Sequence, residues 1–176
     1  MKADPDADLL PGEWAVLGAL TQDRSHGFAV ARRLAPTGDL GRVWSMSRPR
    51  VYRAINDLAG RGLIEPVGEM KSERGPNGVV YGVTDLGRAN VARWLATPVD
   101  HVRDTRSSLL LKLAFLHAAG DPSGPLLEAQ AGLLEPKLVS LEGALSGASG
   151  FDAVVMRYRV ASIRSVLEFV RAVRDT

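Results

Sequence analysis

Between residues 42 and 61 the chain carries Arg42, Arg48, Arg50, Arg53 and Arg61 against a single acid, Asp57. Arginine offers five N–H donors in a planar fork, so it pairs bidentately with a phosphate or with the acceptor edge of a guanine. Tyr52 and Asn56 stand among these cations and add a hydroxyl and an amide that reach phosphate oxygens or base edges. The chemistry this set supports is recognition of a polyanion. No comparable set supports bond making or breaking. Ser45 and Ser47 have no accompanying histidine–carboxylate pair and read as helix caps, not nucleophiles. His26 reads as a residue that caps or packs at a helix start. His101 and His117 lack companion ligands at metal spacing. There is no cysteine, which excludes disulfides, thiolate metal sites and a cysteine nucleophile. Neither an enzyme, nor a metal, nor a cofactor is expected.

Such cations need a rigid element to present them. Val51, Ile55 and Leu58 follow the i, i+4, i+7 spacing of one buried helical stripe. The helix is predicted to start near Ser47, to tolerate Pro49 in its first turn, and to stop at Gly60 or Gly62. At about 100° per residue, Arg53, Asn56 and Asp57 point away from the stripe, and Arg50 and Tyr52 flank the outward face. Two helices precede it. One covers residues 9–21, with Trp14, Leu17 and Leu20 near one face, and a polar turn follows at 22–26. The other uses Phe28, Val30, Ala31 and Leu34 as apolar positions and ends at Pro36 and Gly38.

The period then changes. Residues 63–70 read as a strand, 71–78 as a glycine- and proline-bearing turn, and 79–84 as a returning strand with Val79, Tyr81 and Val83 on one side. Pro66 places the first strand at a sheet edge or makes it irregular. Thr84 or Asp85 caps a further helix that reaches Pro98. Three helices, a two-stranded hairpin and a helix over residues 9–98 is the pattern of a winged helix-turn-helix, whose third helix enters the DNA major groove. The expected DNA-contacting residues are Arg48, Arg50, Tyr52, Arg53 and Asn56, with Lys71 and Arg74 from the tip of the wing.

The best domain boundary lies at residues 98–104, and residues 99–176 read as entirely helical. Residues 105–119 are apolar around most of the circumference, Pro136 should kink or split the helix at 123–146, and a last helix covers 151–175. On that helix Phe151, Val155, Tyr158, Val166, Phe169 and Val173 form one stripe. Val154 and Ala161 widen it on one side, Ile163 and Val170 on the other. This exceeds what one neighbour needs and points to a partner subunit, with an intrachain bundle as the alternative. A two-fold dimer would set two reading helices about one DNA turn (~34 Å) apart on a pseudo-palindrome. Residues 1–8 are acidic and read as a disordered leader.

The whole chain has 176 residues and a net charge of +2, so the arginine cluster is a local patch on a near-neutral molecule. No apolar stretch is long enough to cross a membrane, and no secretory signal opens the chain, so cytoplasmic localisation is expected. Trp14, Trp44 and Trp94 read as core, with Trp44 or Trp94 as candidates to line a pocket for a planar effector near the domain junction.

The order and spacing of several segments resemble the PadR family of transcriptional regulators. They are Leu17-Gly18-Ala19-Leu20, His26-Gly27-Phe28, Ser47 to Leu58, and Gly62-Leu63-Ile64. Arg74-Gly75-Pro76-Asn77, Val80-Tyr81 and Val83-Thr84-Asp85-Leu86-Gly87 support it from the hairpin. Arg103-Asp104, Leu109 to Leu113 and the helices that follow resemble the longer subfamily's C-terminal domain. Two departures stand out: Arg48-Pro49-Arg50 makes the reading helix start more basic, and Glu69 and Glu73 accompany Lys71 and Arg74 in the wing. The resemblance implies a homodimer that binds double-stranded operator DNA and represses nearby promoters until a small, often aromatic, effector relieves it. The alternative from the residues alone is a sensor or scaffold whose winged helix contacts protein.

Overall fold

The computed structural model of the chain describes residues 9–70 and 78–174. The expected leader, residues 1–8, and the wing-tip residues Lys71 and Arg74 lie outside the described residues.

Helix α1 (Pro11–Gln22) starts on a proline whose missing N–H costs nothing in a first turn. Residues Ala15 to Leu20 are all buried, because α1 is the central rod against which the other N-terminal elements pack. A two-residue strand β1 (Ser25–His26) leads into α2 (Gly27–Arg33). His26 Nδ1 accepts a hydrogen bond from the Ala29 N–H at 3.1 Å, so it caps α2 as expected. Next come α3 (Arg48–Gly60), β2 (Ile64–Met70), β3 (Gly78–Val83) and α4 (Asp85–Ala96). Thr84 Oγ1 accepts from the Gly87 N–H at 3.1 Å and caps α4.

The two-stranded hairpin needs one correction. Ser25 and His26, read as part of a turn, pair antiparallel with Tyr81 and Val80, giving a three-stranded sheet of order β1-β3-β2. Two residues are too few to show an alternating pattern, so this strand is invisible to periodicity. Pro66 sits where expected: among the described residues β2 pairs with β3 alone, and its register shifts between Pro66 and Gly68.

The C-terminal part comprises a one-turn α5 (Val102–Asp104), a π-helical turn at Thr105–Leu109, α6 (Leu110–Ala119), α7 (Gly124–Gly147) and α8 (Gly150–Arg174). Gly120, at φ +73°, ends α6 in the left-handed conformation. Of the kink or split expected at Pro136, the split does not occur: α7 runs through it as one helix. Pro136 and Gly132, whose carbonyl loses its partner, are both exposed, so the missing donor leaves no buried unpaired group.

Two apolar clusters result. The first holds α1 to α4 and the sheet, and it also takes Leu111 and Phe115 from α6. Gly18 makes that approach possible, since a Cβ there would stand 2.3 Å from the Phe115 ring. The second joins the π-helical turn, α6, α7 and α8 through Leu109, Leu116, Leu127, Leu134, Ile163 and Leu167. Between them the segment after α4 is fastened by three side chains. Lys112 Nζ donates to the Thr97 carbonyl at 2.5 Å, and Lys137 Nζ donates to the Asp100 carboxylate at 2.6 Å. The fully buried Gln130 accepts from the Val99 N–H at 2.7 Å and donates to its carbonyl at 2.9 Å. Both Val99 backbone groups are thereby satisfied in an apolar setting.

Candidate nucleic-acid interface

Helix α3 buries Val51, Ala54, Ile55 and Leu58, which forces the intervening residues outward. Arg48, Arg50, Tyr52, Arg53 and Asn56 are all exposed, as expected. Ser47 occupies the N-cap position but makes no side-chain cap bond. The helix is anchored at both ends. Ahead of it the Met46 N–H donates to the Leu34 carbonyl at 2.8 Å. Behind it Arg61 lies 3.6 Å from the buried carboxylate of Glu13, which also accepts from the Leu10 N–H at 2.7 Å. This holds α3 against α1 as a fixed platform.

Phe28 departs from expectation. Read as a core position of α2, it is 52% exposed. The Arg48 guanidinium lies 5.0 Å from its ring centroid and 5.7 Å from that of Tyr52. Gly27 leaves room for this arrangement, because a Cβ there would stand 2.8 Å from the Tyr52 ring. Ring contacts steer Arg48 without neutralising it. Among the described residues, no carboxylate lies within 4.0 Å of Arg48, Arg50 or Arg53. The face therefore keeps its charge for an outside partner.

The two tryptophans singled out for an effector are not brought together. Trp94 stacks on Trp14 with centroids 4.7 Å apart and planes 7° apart, and meets Phe115 edge-on at 6.3 Å. Both tryptophans line a cleft of about 360 Å³ with Asn90, Thr97, Ser108 and Lys112. Lys112 is only 3% exposed, and its ammonium sits 5.1 Å from the Trp94 ring centroid. Burial pushes its pKa down to about 8. Trp44 lines a separate cleft, of about 410 Å³, with Arg50, Arg103 and Arg106. A larger apolar cleft of about 640 Å³, between Val91, Leu95, Phe115 and Leu126, contains neither tryptophan.

Sequence reasoning missed Lys112, although a signal existed: a lone lysine in the run Leu109 to Leu116, apolar nearly all round, has few solvent-facing positions to occupy. It also missed Arg103 and Arg106. They stand more than 50 residues from Arg50, and only the fold brings them to it.

On α8 the dimerisation stripe divides. Phe151 and Tyr158 are 78% and 75% exposed, and Phe169 is exposed with Val154 beside them. Val155 is half-buried, while Val166 and Val173 pack at the margin of the second cluster. Ile163, Leu167 and Val170 join the second cluster with α7, and Val160 is buried on the same helix.

A small antiparallel sheet carried on a helical core, with an arginine-faced third helix anchored outward, defines a winged helix-turn-helix module. Residues 16–93 match the model of the transcriptional regulator PadR-like family. A Mycobacterium tuberculosis protein named "Probable transcriptional regulator Rv1176c" is 30% identical over 96 residues, 54% of this chain. The match spans 49% of that relative, so the likeness concerns about half of it. Bacillus subtilis PadR in complex with operator DNA is 17% identical, with a TM-score of 0.47 over 92% of this chain and 97% of that one. Bacillus subtilis PadR in complex with p-coumaric acid is 18% identical, with a TM-score of 0.41 over 93% of each chain. Both structural likenesses are too distant to bear on function.

Proposed function

We propose that this chain is a sequence-specific DNA-binding transcriptional regulator that acts as a homodimer and represses until a small aromatic effector binds. The observation that carries the reading is the outward face of α3: Arg48, Arg50 and Arg53 unpaired by any described carboxylate, with Tyr52 and Asn56 between them, on a helix fixed at both ends. A helix of this width fits a major groove, with Arg50 and Arg53 as base readers and the flanking groups on phosphates. The second subunit is supported by Phe151, Val154 and Tyr158, whose exposed apolar surface on α8 has no partner among the described residues. Repression follows from the family resemblance. The effector reading is supported by the cleft in which Trp14 and Trp94 stack beside the buried Lys112 ammonium, a setting for a flat molecule with an acidic group.

Selection of duplexes from a random-sequence pool by the purified chain tests the reading. Enrichment of one motif supports DNA recognition. Recovery of no motif, with retention of a protein partner instead, supports the contact-module alternative.

A further inference from the structure

The cleft that holds Trp44 contains a convergence of charge that extends beyond the reading face. Arg50, on the first turn of α3, shares it with Arg103 of α5 and Arg106 of the π-helical turn, together with Ser45 and Ser107. Three guanidinium groups and two hydroxyls line it, and no carboxylate does. Arg103 has one acidic neighbour, Asp104, at 3.8 Å, and that carboxylate belongs to the lining of the Trp94 cleft instead. Among the described residues Arg50 and Arg106 have no salt-bridge partner. Like charges gathered without counter-charge repel one another, and an anion placed between them reverses the sign of the interaction. Arginine forks with adjacent hydroxyls are the donor set that phosphate oxygens take.

The position identifies the source of the phosphate. At about 100° per residue, Arg50 falls on the flank of α3, with Arg53 and Asn56 outermost. A helix lying in the major groove has a sugar–phosphate strand along its flank. Arg103 and Arg106 are brought to that flank by the segment that Lys112, Gln130 and Lys137 fasten to the C-terminal helices.

We infer that Arg50, Arg103 and Arg106 form a clamp for a backbone phosphate of the operator, so that the start of the C-terminal region contacts DNA as well as the winged helix. This rests on the DNA-binding reading above, moves Arg50 from base reader to phosphate ligand while leaving Arg53 on the bases, and adds two residues outside the stretch that matches the family. The clamp ties the reading helix and the dimerisation region to one phosphate.

The test uses the full chain and a duplex that the wild-type protein has selected from a random pool. An Arg103→Ala/Arg106→Ala variant is expected to bind the selected duplex about tenfold more weakly, and an unrelated duplex weaker by a similar factor. The slope of log affinity against log salt should fall by about 1. Both arginines are exposed, and circular dichroism with sedimentation checks that fold and oligomeric state are kept. Arg103→Lys/Arg106→Lys should retain the salt slope, since lysine keeps the charge. Unchanged affinity and slope in the alanine variant, while Arg53→Ala still weakens selected-duplex binding, overturns the clamp and leaves the DNA reading standing. Failure of the wild type to bind any duplex overturns the DNA reading itself. A free-anion site is the other outcome against the proposal. In that case inorganic phosphate, at matched ionic strength, raises the melting temperature of the DNA-free wild type but not of the alanine variant, and the salt slopes of the two stay equal.

Discussion

Helices α3 and α8 are both amphipathic, and they differ in what they leave outside. The inward face of α3 is used by Val51, Ala54, Ile55 and Leu58, and its outward face carries Arg50, Tyr52, Arg53, Asn56 and Asp57. Helix α8 also buries one apolar face, through Val160, Ile163, Leu167 and Val170, yet keeps Phe151, Val154 and Tyr158 in the open. Unspent charge suits a partner that is itself charged and hydrated. Unspent apolar area suits a partner that excludes water. The contrast assigns α3 to DNA and α8 to a second subunit in the proposed function.

The largest expected effect breaks the α8 side of this contrast. A Phe151→Glu/Tyr158→Glu variant puts two carboxylates into the proposed dimer contact, where burying an unpaired charge costs several kcal/mol. Sedimentation should show monomers with an unchanged helical signal. A dimer of wild-type strength would move the interface elsewhere.

Next comes the joint between the two regions. Gln130→Leu removes both partners of Val99 and leaves a buried N–H and carbonyl unpaired. The expected loss is about 2–4 kcal/mol in urea unfolding. A loss below about 0.5 kcal/mol would show that the joint relaxes without this residue.

Lys112 sharpens the comparison, because it is a cation that the fold buries rather than presents. Its folded pKa, about 8, lies below the ordinary lysine value of 10.5. Between those values the unfolded chain binds the extra proton, so stability rises with pH from about 8 to 10.5. Below that window the charged group destabilises the fold by an amount of order 3 kcal/mol. Urea unfolding across pH 7–11 should show this rise in the wild type and not in Lys112→Met. Identical profiles would contradict it.

Arg53→Ala is expected to weaken operator binding by about 1–3 kcal/mol with the dimer intact, read by fluorescence anisotropy. The smallest effect belongs to the exposed pair Arg88–Asp85, 2.6 Å apart and one helical turn in length. Removing it should change unfolding by less than about 0.5 kcal/mol.

The reading face of α3 was legible because its buried stripe, its cap position and its cations all occur within one helix, where spacing alone sets direction. The caps at His26 and Thr84 and the edge position of Pro66 were legible for the same local reason. Strand β1 escaped because two residues have no period. Phe28 was misplaced because apolar spacing says nothing of a neighbouring Arg48 able to hold an aromatic ring at the surface. The arginine clamp and the separation of Trp44 from Trp94 depend on where α5 and α6 return to the winged helix, and no local pattern encodes that. Contacts from the buried Lys112 and Gln130 and from the half-exposed Lys137 fasten that return.

The most direct test of the central claim is sequencing of duplexes selected by the purified chain from a random pool. The account predicts one enriched motif made of two inverted half-sites about one turn (~34 Å) apart, lost in Arg53→Ala. Enrichment of a single unpaired site would contradict the dimer, and no enrichment at all would contradict DNA reading by α3.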